Sequence, residues 1–273
     1  MNPSTIYSEL GEGIYLDEST NNIYWVDINN NMLFVATPLT VNSYELDTQV
    51  SAVLFVDKNI IHLASSDGIV CFDVEKCLIS LLDKTPDFYA LESYRSNDGV
   101  MISDGIYIYG VMDRSLDKAG AIVVSKNKQS HVVDDTIFIP NTFIKIPITN
   151  DLLISDSMLH KVFRFQFSKD WEMVESKTIW LDLSAEKLTP DGGCISSDGR
   201  IFIAIWDGFK IIELDIAGNI VDEFKIPIPR PTSCVLDAKE DRLLVTSAYE
   251  GLSGDKRKNY PLSGSIIEVN IRC

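Results

Sequence analysis

The chain has 273 residues, 45% hydrophobic and 23% charged, an ordinary globular composition rather than a disordered or fibrous one. Its 24 Lys and Arg against 40 Asp and Glu give a net charge of −16. Nucleic acid and anionic membrane are therefore not expected partners, since both need clustered basic side chains and the only such run is Lys256-Arg257-Lys258.

Taken in order, Met1 to Leu10 has neither a basic nor an apolar leader region, and no stretch approaches the roughly 20 apolar residues of a membrane span. The expected location is the cytoplasm. Five cysteines (Cys71, Cys77, Cys194, Cys234 and Cys273) sit mostly in apolar runs, which suits buried free thiols in a reducing compartment better than a disulfide framework.

A strand-like segment, Ile6 to Glu9, comes first and is placed to pair with the last repeat. Six β-branched and aromatic runs then start at Ile23, Ile60, Ile106, Leu152, Ile201 and Arg242, at spacings of 37, 46, 46, 49 and 41 residues. Each is followed after a short turn by a second strand, the first pair being IYWVDI and MLFVAT. A third strand usually comes next, as at Ile220 to Ile226. Helical signal is weak, with at most one turn at Ala185 to Leu188, and Lys256 to Lys258 read as an exposed loop. Six repeats of roughly 40–50 residues predict an all-β, six-bladed β-propeller with a central metal site, formed by residues 1–273 as one domain. The oligomeric state is not set by these features.

About 9 to 11 residues before each run lies a polar tripeptide: Gly11-Glu12-Gly13, Val50-Ser51-Ala52, Asn97-Asp98-Gly99, Pro140-Asn141-Thr142, Pro190-Asp191-Gly192 and Pro231-Thr232-Ser233. Equivalent phase in a propeller means equivalent height and radius, so the six should ring one mouth of the central channel. Glu12, Asp98 and Asp191 bring carboxylates, and Asn97 and Asn141 bring carboxamides, with no His or Cys. Such an oxygen-rich, anionic ring suits Ca²⁺, Mg²⁺ or Mn²⁺, and Zn²⁺ less well by ligand softness. Without a cation, converging carboxylates repel one another and are desolvated.

At these motifs the chain resembles the senescence marker protein (regucalcin), gluconolactonase and luciferin-regenerating enzyme family. The resemblance runs from Leu10-Gly11-Glu12-Gly13 through Arg95-Ser96-Asn97-Asp98-Gly99, Gly110-Val111-Met112-Asp113, Pro140-Asn141, Ser155-Asp156-Ser157 and Pro190-Asp191-Gly192-Gly193-Cys194 to Arg230-Pro231-Thr232-Ser233-Cys234 and Pro261-Leu262-Ser263-Gly264. It implies that Glu12, Asn141 and Asp191 bind one divalent metal, calcium first with zinc, manganese and magnesium as alternatives. It also implies that Arg95 and Asn97 contact a small-molecule substrate, and that the activity is a metal-dependent lactonase acting on a sugar-type lactone. The chain departs from the family pattern at Ile14, Tyr15 and Leu16, at Val100, at Ser103-Asp104-Gly105, at Thr142 and from Phe143 to Pro147, which predicts altered pocket walls.

The expected chemistry is attack of water on a metal-polarised carbonyl, with Asp191 as general base, Arg95 as a planar donor fork and Asn97 as a hydroxyl partner. Two other readings fit the same residues: a calcium-stabilised propeller that binds a protein or small-molecule partner without catalysis, and an ester or phosphotriester hydrolase. His62, His131 and His160 fall outside the ring phase, with His62 alone a candidate base. Trp25 and Trp206 read as packing between blades. No Gly-x-Ser-x-Gly elbow supports Ser-His-Asp catalysis.

Overall fold

The computed structural model describes residues 5–271, so Cys273 lies outside the described residues. The chain forms six antiparallel sheets, spanning residues 11–45, 50–84, 94–134, 140–182, 189–225 and 231–270. The first five have four strands each and the sixth has three. The innermost strands (Gly11–Asp17, Val50–Asp57, Tyr94–Ser103, Pro140–Lys145, Thr189–Ile195 and Pro231–Leu236) contact one another in turn, and the last returns to the first. That closed cycle is the six-bladed propeller expected from the repeat.

The burial pattern explains why one strand of each blade dominates the sequence signal. The second strand is sandwiched between neighbouring blades on both faces, so Asp151–Asp156 is buried throughout, whereas outer strands such as Ile220–Lys225 are mostly exposed. Six apolar clusters fill the six wedges between adjacent blades. Trp25, for example, stacks on Phe34 at 4.9 Å in the wedge between blades 6 and 1.

Four sequence expectations need correction. The runs led by Ile23 and its equivalents are second strands, and the innermost strands are those carrying the polar tripeptides. Their side chains divide between the channel and the apolar wedges, where Val53, Ile102 and Ile144 pack, so polar positions interrupt the apolar pattern. Ile6 to Glu9 forms no strand. The segment still pairs with the last blade: Ser8 N–H donates to the Gly264 carbonyl at 2.8 Å, Tyr249 and Glu250 N–H donate to the Glu9 carbonyl at 3.0 and 2.9 Å, and one bridge joins Leu10 to Ala248. Lys256-Arg257-Lys258 lies in a short helix, Gly254–Asn259, capped by the Ser253 side chain, with Asp255 in its first turn. Cys77 is exposed, whereas Cys194 and Cys234 face each other as free thiols across blades 5 and 6, 3.8 Å apart.

Candidate metal and substrate site

Every innermost strand breaks register with its neighbour at the same place. The breaks fall between Glu12 and Tyr15, Val50 and Ala52, Ser96 and Gly99, Asn141 and Ile144, Pro190 and Gly193, and Pro231 and Cys234. A bulge inserts an unpaired residue and turns the side chains around it. Six bulges at one height therefore set Glu12, Ser51, Asn97, Asn141, Asp191 and Thr232 at equivalent positions around the axis, all of them buried.

The six divide into two kinds. Ser51 and Thr232 are tied sideways: Ser51 donates to the Ser96 hydroxyl at 2.7 Å, and Thr232 donates to the Gly11 carbonyl and shares a hydrogen bond with the Thr246 hydroxyl. Glu12, Asn97, Asn141 and Asp191 line one cavity of about 170 Å³, together with Arg95 and Ser157. Asn141 is held in one orientation, because its Nδ2 donates to Ser157 Oγ at 3.0 Å while its Oδ1 accepts from Asn97 Nδ2 at 2.8 Å. Asn97 Nδ2 also donates to the Pro140 carbonyl at 2.9 Å, which leaves the amide no hydrogen to offer a ligand. Its Oδ1 accepts from Arg95 Nη1 at 2.6 Å, and the same nitrogen donates to the Ser96 carbonyl at 2.9 Å.

Electrostatics at this level are strained. Burial, then the Asp191 and Asp98 charges, push the Glu12 carboxyl well above the usual carboxylate range. Burial and Asp98 do the same to Asp191. Desolvation, followed by the charge of Arg114, brings Arg95 down to about 10. Asp191 Oδ1 is buried with no hydrogen-bond partner. An orphaned carboxylate oxygen, a second buried carboxyl and a fixed amide oxygen lining one cavity make a donor set for a hard divalent cation. Such an ion would satisfy the orphan and neutralise the repulsion. No group of three or more His, Cys, Asp or Glu side chains is assembled for a metal among the described residues; the candidate set reaches three donors only by including the Asn141 amide.

The departures at Ile14, Tyr15, Val100, Thr142 and Phe143 line a different cavity, about 440 Å³ at the other end of the channel, together with Asp98. The expected change of wall therefore falls at the far mouth, and of the ring's acids Asp98 faces away from Glu12 and Asp191. Burial lifts Asp98 to about 7, against hydrogen bonds from the Gly99 and Thr142 N–H groups. Thr142 has φ 80, a left-handed conformation rare for a β-branched residue. It is held there by its hydroxyl, which donates to the Asp191 carbonyl at 2.6 Å and lies within hydrogen-bond distance of Ser155 Oγ at 2.9 Å. At the equivalent bulge Gly13 has φ 54, and a Cβ there would sit 2.3 Å from Ala52 Cα. A larger hollow of about 480 Å³ lies on the outer strands of blade 2, near Leu81 and Lys84, away from the axis and from these donors.

A family profile described as SMP-30/Gluconolactonase/LRE-like region matches residues 10–249. The chain belongs to this family. Regucalcin from Oryctolagus cuniculus is 25% identical over 278 residues, covering 95% of this chain and 90% of the relative. A putative sugar lactone lactonase from Rhizobium meliloti is 28% identical, with 97% and 90% covered. Among solved structures, a calcium-binding regucalcin from Agrobacterium tumefaciens superposes with a TM-score of 0.89 at 24% identity, covering 98% of this chain and 93% of that one. That likeness confirms the propeller fold.

Leu10, Met112, Ile139, Thr189, Trp206 and Glu250 complete the cavity wall, and sequence reasoning did not single them out for it. Trp206, expected to be packing, lines the wall with Arg230 stacked on its ring at 4.8 Å. Met112 and Trp206 stand at or near the ends of second strands, a phase as regular as that of the polar tripeptides, and this was the available signal. His62 lies elsewhere: its Nδ1 meets the Tyr107 hydroxyl at 2.6 Å, and burial lowers its pKa. His131 meets the Glu172 carbonyl, and His160 packs behind Thr189.

Proposed function

We propose that this protein is a metal-dependent hydrolase that opens a lactone, with Glu12, Asn141 and Asp191 holding one divalent ion, calcium first. The observation that carries the reading is the partnerless, buried Asp191 Oδ1 in the same cavity as Glu12 and the fixed Asn141 oxygen. A bound divalent ion would supply Lewis-acid polarisation of the ester carbonyl and acidification of a water.

The chain's own groups divide the remaining work. Asp191 acts as general base for the attacking water and returns that proton to the ring oxygen as the acyl C–O bond breaks. Arg95, anchored through Nη1, keeps Nη2 and Nε without a protein acceptor among the described residues and presents them to the substrate's carbonyl side and then to the product carboxylate. Asn97 positions rather than binds, since it fixes both Arg95 and Asn141. Ser157 sets the Asn141 amide so that its oxygen faces inward, and donates its own proton to the Pro190 carbonyl at 2.7 Å. The names of the lactonase relatives support the reaction class, and the calcium-binding regucalcin among the structural neighbours supports the ion.

The test is a lactone panel followed by acid release, on protein stripped with chelator and then restored with Ca²⁺, Mg²⁺, Mn²⁺ or Zn²⁺ in turn. Turnover should vanish on stripping and return with an ion, and Asp191→Ala should remove it while leaving the fold intact. Undiminished turnover by stripped protein or by that variant overturns the proposal.

A further inference from the structure

The cavity's polar groups are nearly all spoken for. Asn97 has given both amide hydrogens to Pro140 and Asn141, and Ser157 donates to Pro190 while accepting from Asn141. The Thr189 hydroxyl is paired with His160 Nδ1 at 3.2 Å, and one oxygen of Glu250 takes the Asn29 amide at 3.0 Å. Beyond the ion's three ligands, a substrate finds the free N–H groups of Arg95, the indole N–H of Trp206 and one oxygen of Glu250. The rest of the wall is Leu10, Met112, Ile139 and Trp206, from blades 1, 3, 4 and 5.

This apolar collar is built to stay in place. Asp27 accepts from the N–H groups of Glu9 and Leu10 at 2.7 and 3.1 Å, and Asp156 accepts from those of Phe138 and Ile139 at 2.9 and 3.3 Å. Both acids are buried, so the loops that present Leu10 and Ile139 are pinned by charge-assisted bonds. Trp206 is backed by Arg230, itself tied to Asp207 at 2.7 Å and to the Glu250 carbonyl. At about 170 Å³ the space equals roughly six waters at ~30 Å³ each, enough for one small ring with short substituents.

We infer that the substrate is a hydroxyl-poor lactone, a five- or six-membered ring carrying an alkyl group, rather than a polyhydroxylated aldonolactone. The inference rests on the lactonase reading of the same site. A ring hydroxyl turned towards Leu10, Met112 or Ile139 loses water and gains no partner, which lowers affinity about 5- to 100-fold for each such group. An alkyl group in the same place gains contact with the collar. The ester carbonyl and at most one neighbouring hydroxyl point towards Arg95.

The experiment compares kcat/KM for a γ-alkyl-γ-butyrolactone and for glucono-1,5-lactone on ion-loaded protein, with the ion-induced rise in Tm recorded alongside. The alkyl lactone should lead by about 10-fold or more. Met112→Gln and Ile139→Thr should each move the ratio at least about 5-fold towards the polyol, chiefly through KM, with the ion-induced Tm rise kept. Equal or better turnover of the polyol lactone overturns the inference and leaves the hydrolase reading standing. If an ion binds and neither lactone is opened, both are overturned together.

Discussion

Replacing Asp191 by Asn should stabilise the metal-free protein and abolish its stabilisation by a divalent ion. In metal-free protein the carboxylate is buried, lacks a partner at Oδ1 and raises the pKa of Glu12 by repulsion. An amide removes that charge and brings an N–H that Glu12 can accept, which is worth about 1–3 kcal/mol. Unfolding entropy near 2.1 cal/mol/K per residue gives about 0.6 kcal/mol/K for a chain of 273 residues. The metal-free variant should therefore melt about 2–5 °C above metal-free wild type at pH 8. Calcium at 100 times its Kd adds about 2.7 kcal/mol to wild type, close to 5 °C, and nothing to the variant. The sign with pH follows from the raised carboxyls of Glu12 and Asp191. Their protonated folded forms are favoured, so this contribution is complete below the unfolded value near 4 and is lost as pH rises through the folded values. The two metal-free proteins should thus converge near pH 4 and separate above it. Scanning calorimetry with chelator and with calcium measures all four states. A metal-free variant less stable than wild type at pH 8, or one that still gains from calcium, would refute the argument.

Two further outcomes follow from the bulges and loops. Thr142→Gly relieves the φ 80 backbone but cuts the hydroxyl's bond to the Asp191 carbonyl. Tm should then move by under about 2 °C while the half-saturating ion concentration rises several-fold, which calorimetric titration reads. Asp156→Ala strands the Phe138, Ile139 and Met158 N–H groups. It should cost about 3 kcal/mol, or about 5 °C in a thermal melt, and raise KM through the freed Ile139 loop.

Much of the architecture could be read from the chain because second strands are buried on both faces, and a run such as Asp151–Asp156 has to be apolar along its length. That Glu12, Asn141 and Asp191 line one cavity was also legible, since phase in a repeat fixes position around an axis. What was misplaced has a common cause: side chains at one phase alternate between facing in, facing sideways and facing the opposite mouth once a bulge intervenes. Asp98 and Asn97 are neighbours, yet one lines the far cavity and the other the near one. Trp206 could not be told from Trp25 by sequence, because both end in aromatic-rich second strands and only the neighbouring Arg230 separates wall from wedge. Asn97 looked like a free hydroxyl partner because its composition says nothing about the Pro140 carbonyl 43 positions away that consumes its hydrogen.

The ring closes between its first and last blades, with one bridge at Leu10 and Ala248, backbone hydrogen bonds at Ser8 and Glu9, and a three-stranded last sheet. Glu12 stands on one flank of that seam and Asp191 two blades away on the other, with Asn141 beyond it. An ion gripped by all three acts as a clasp across the opening, so amides near Ser8, Gly11 and Ala248 should exchange with solvent more slowly once it is seated.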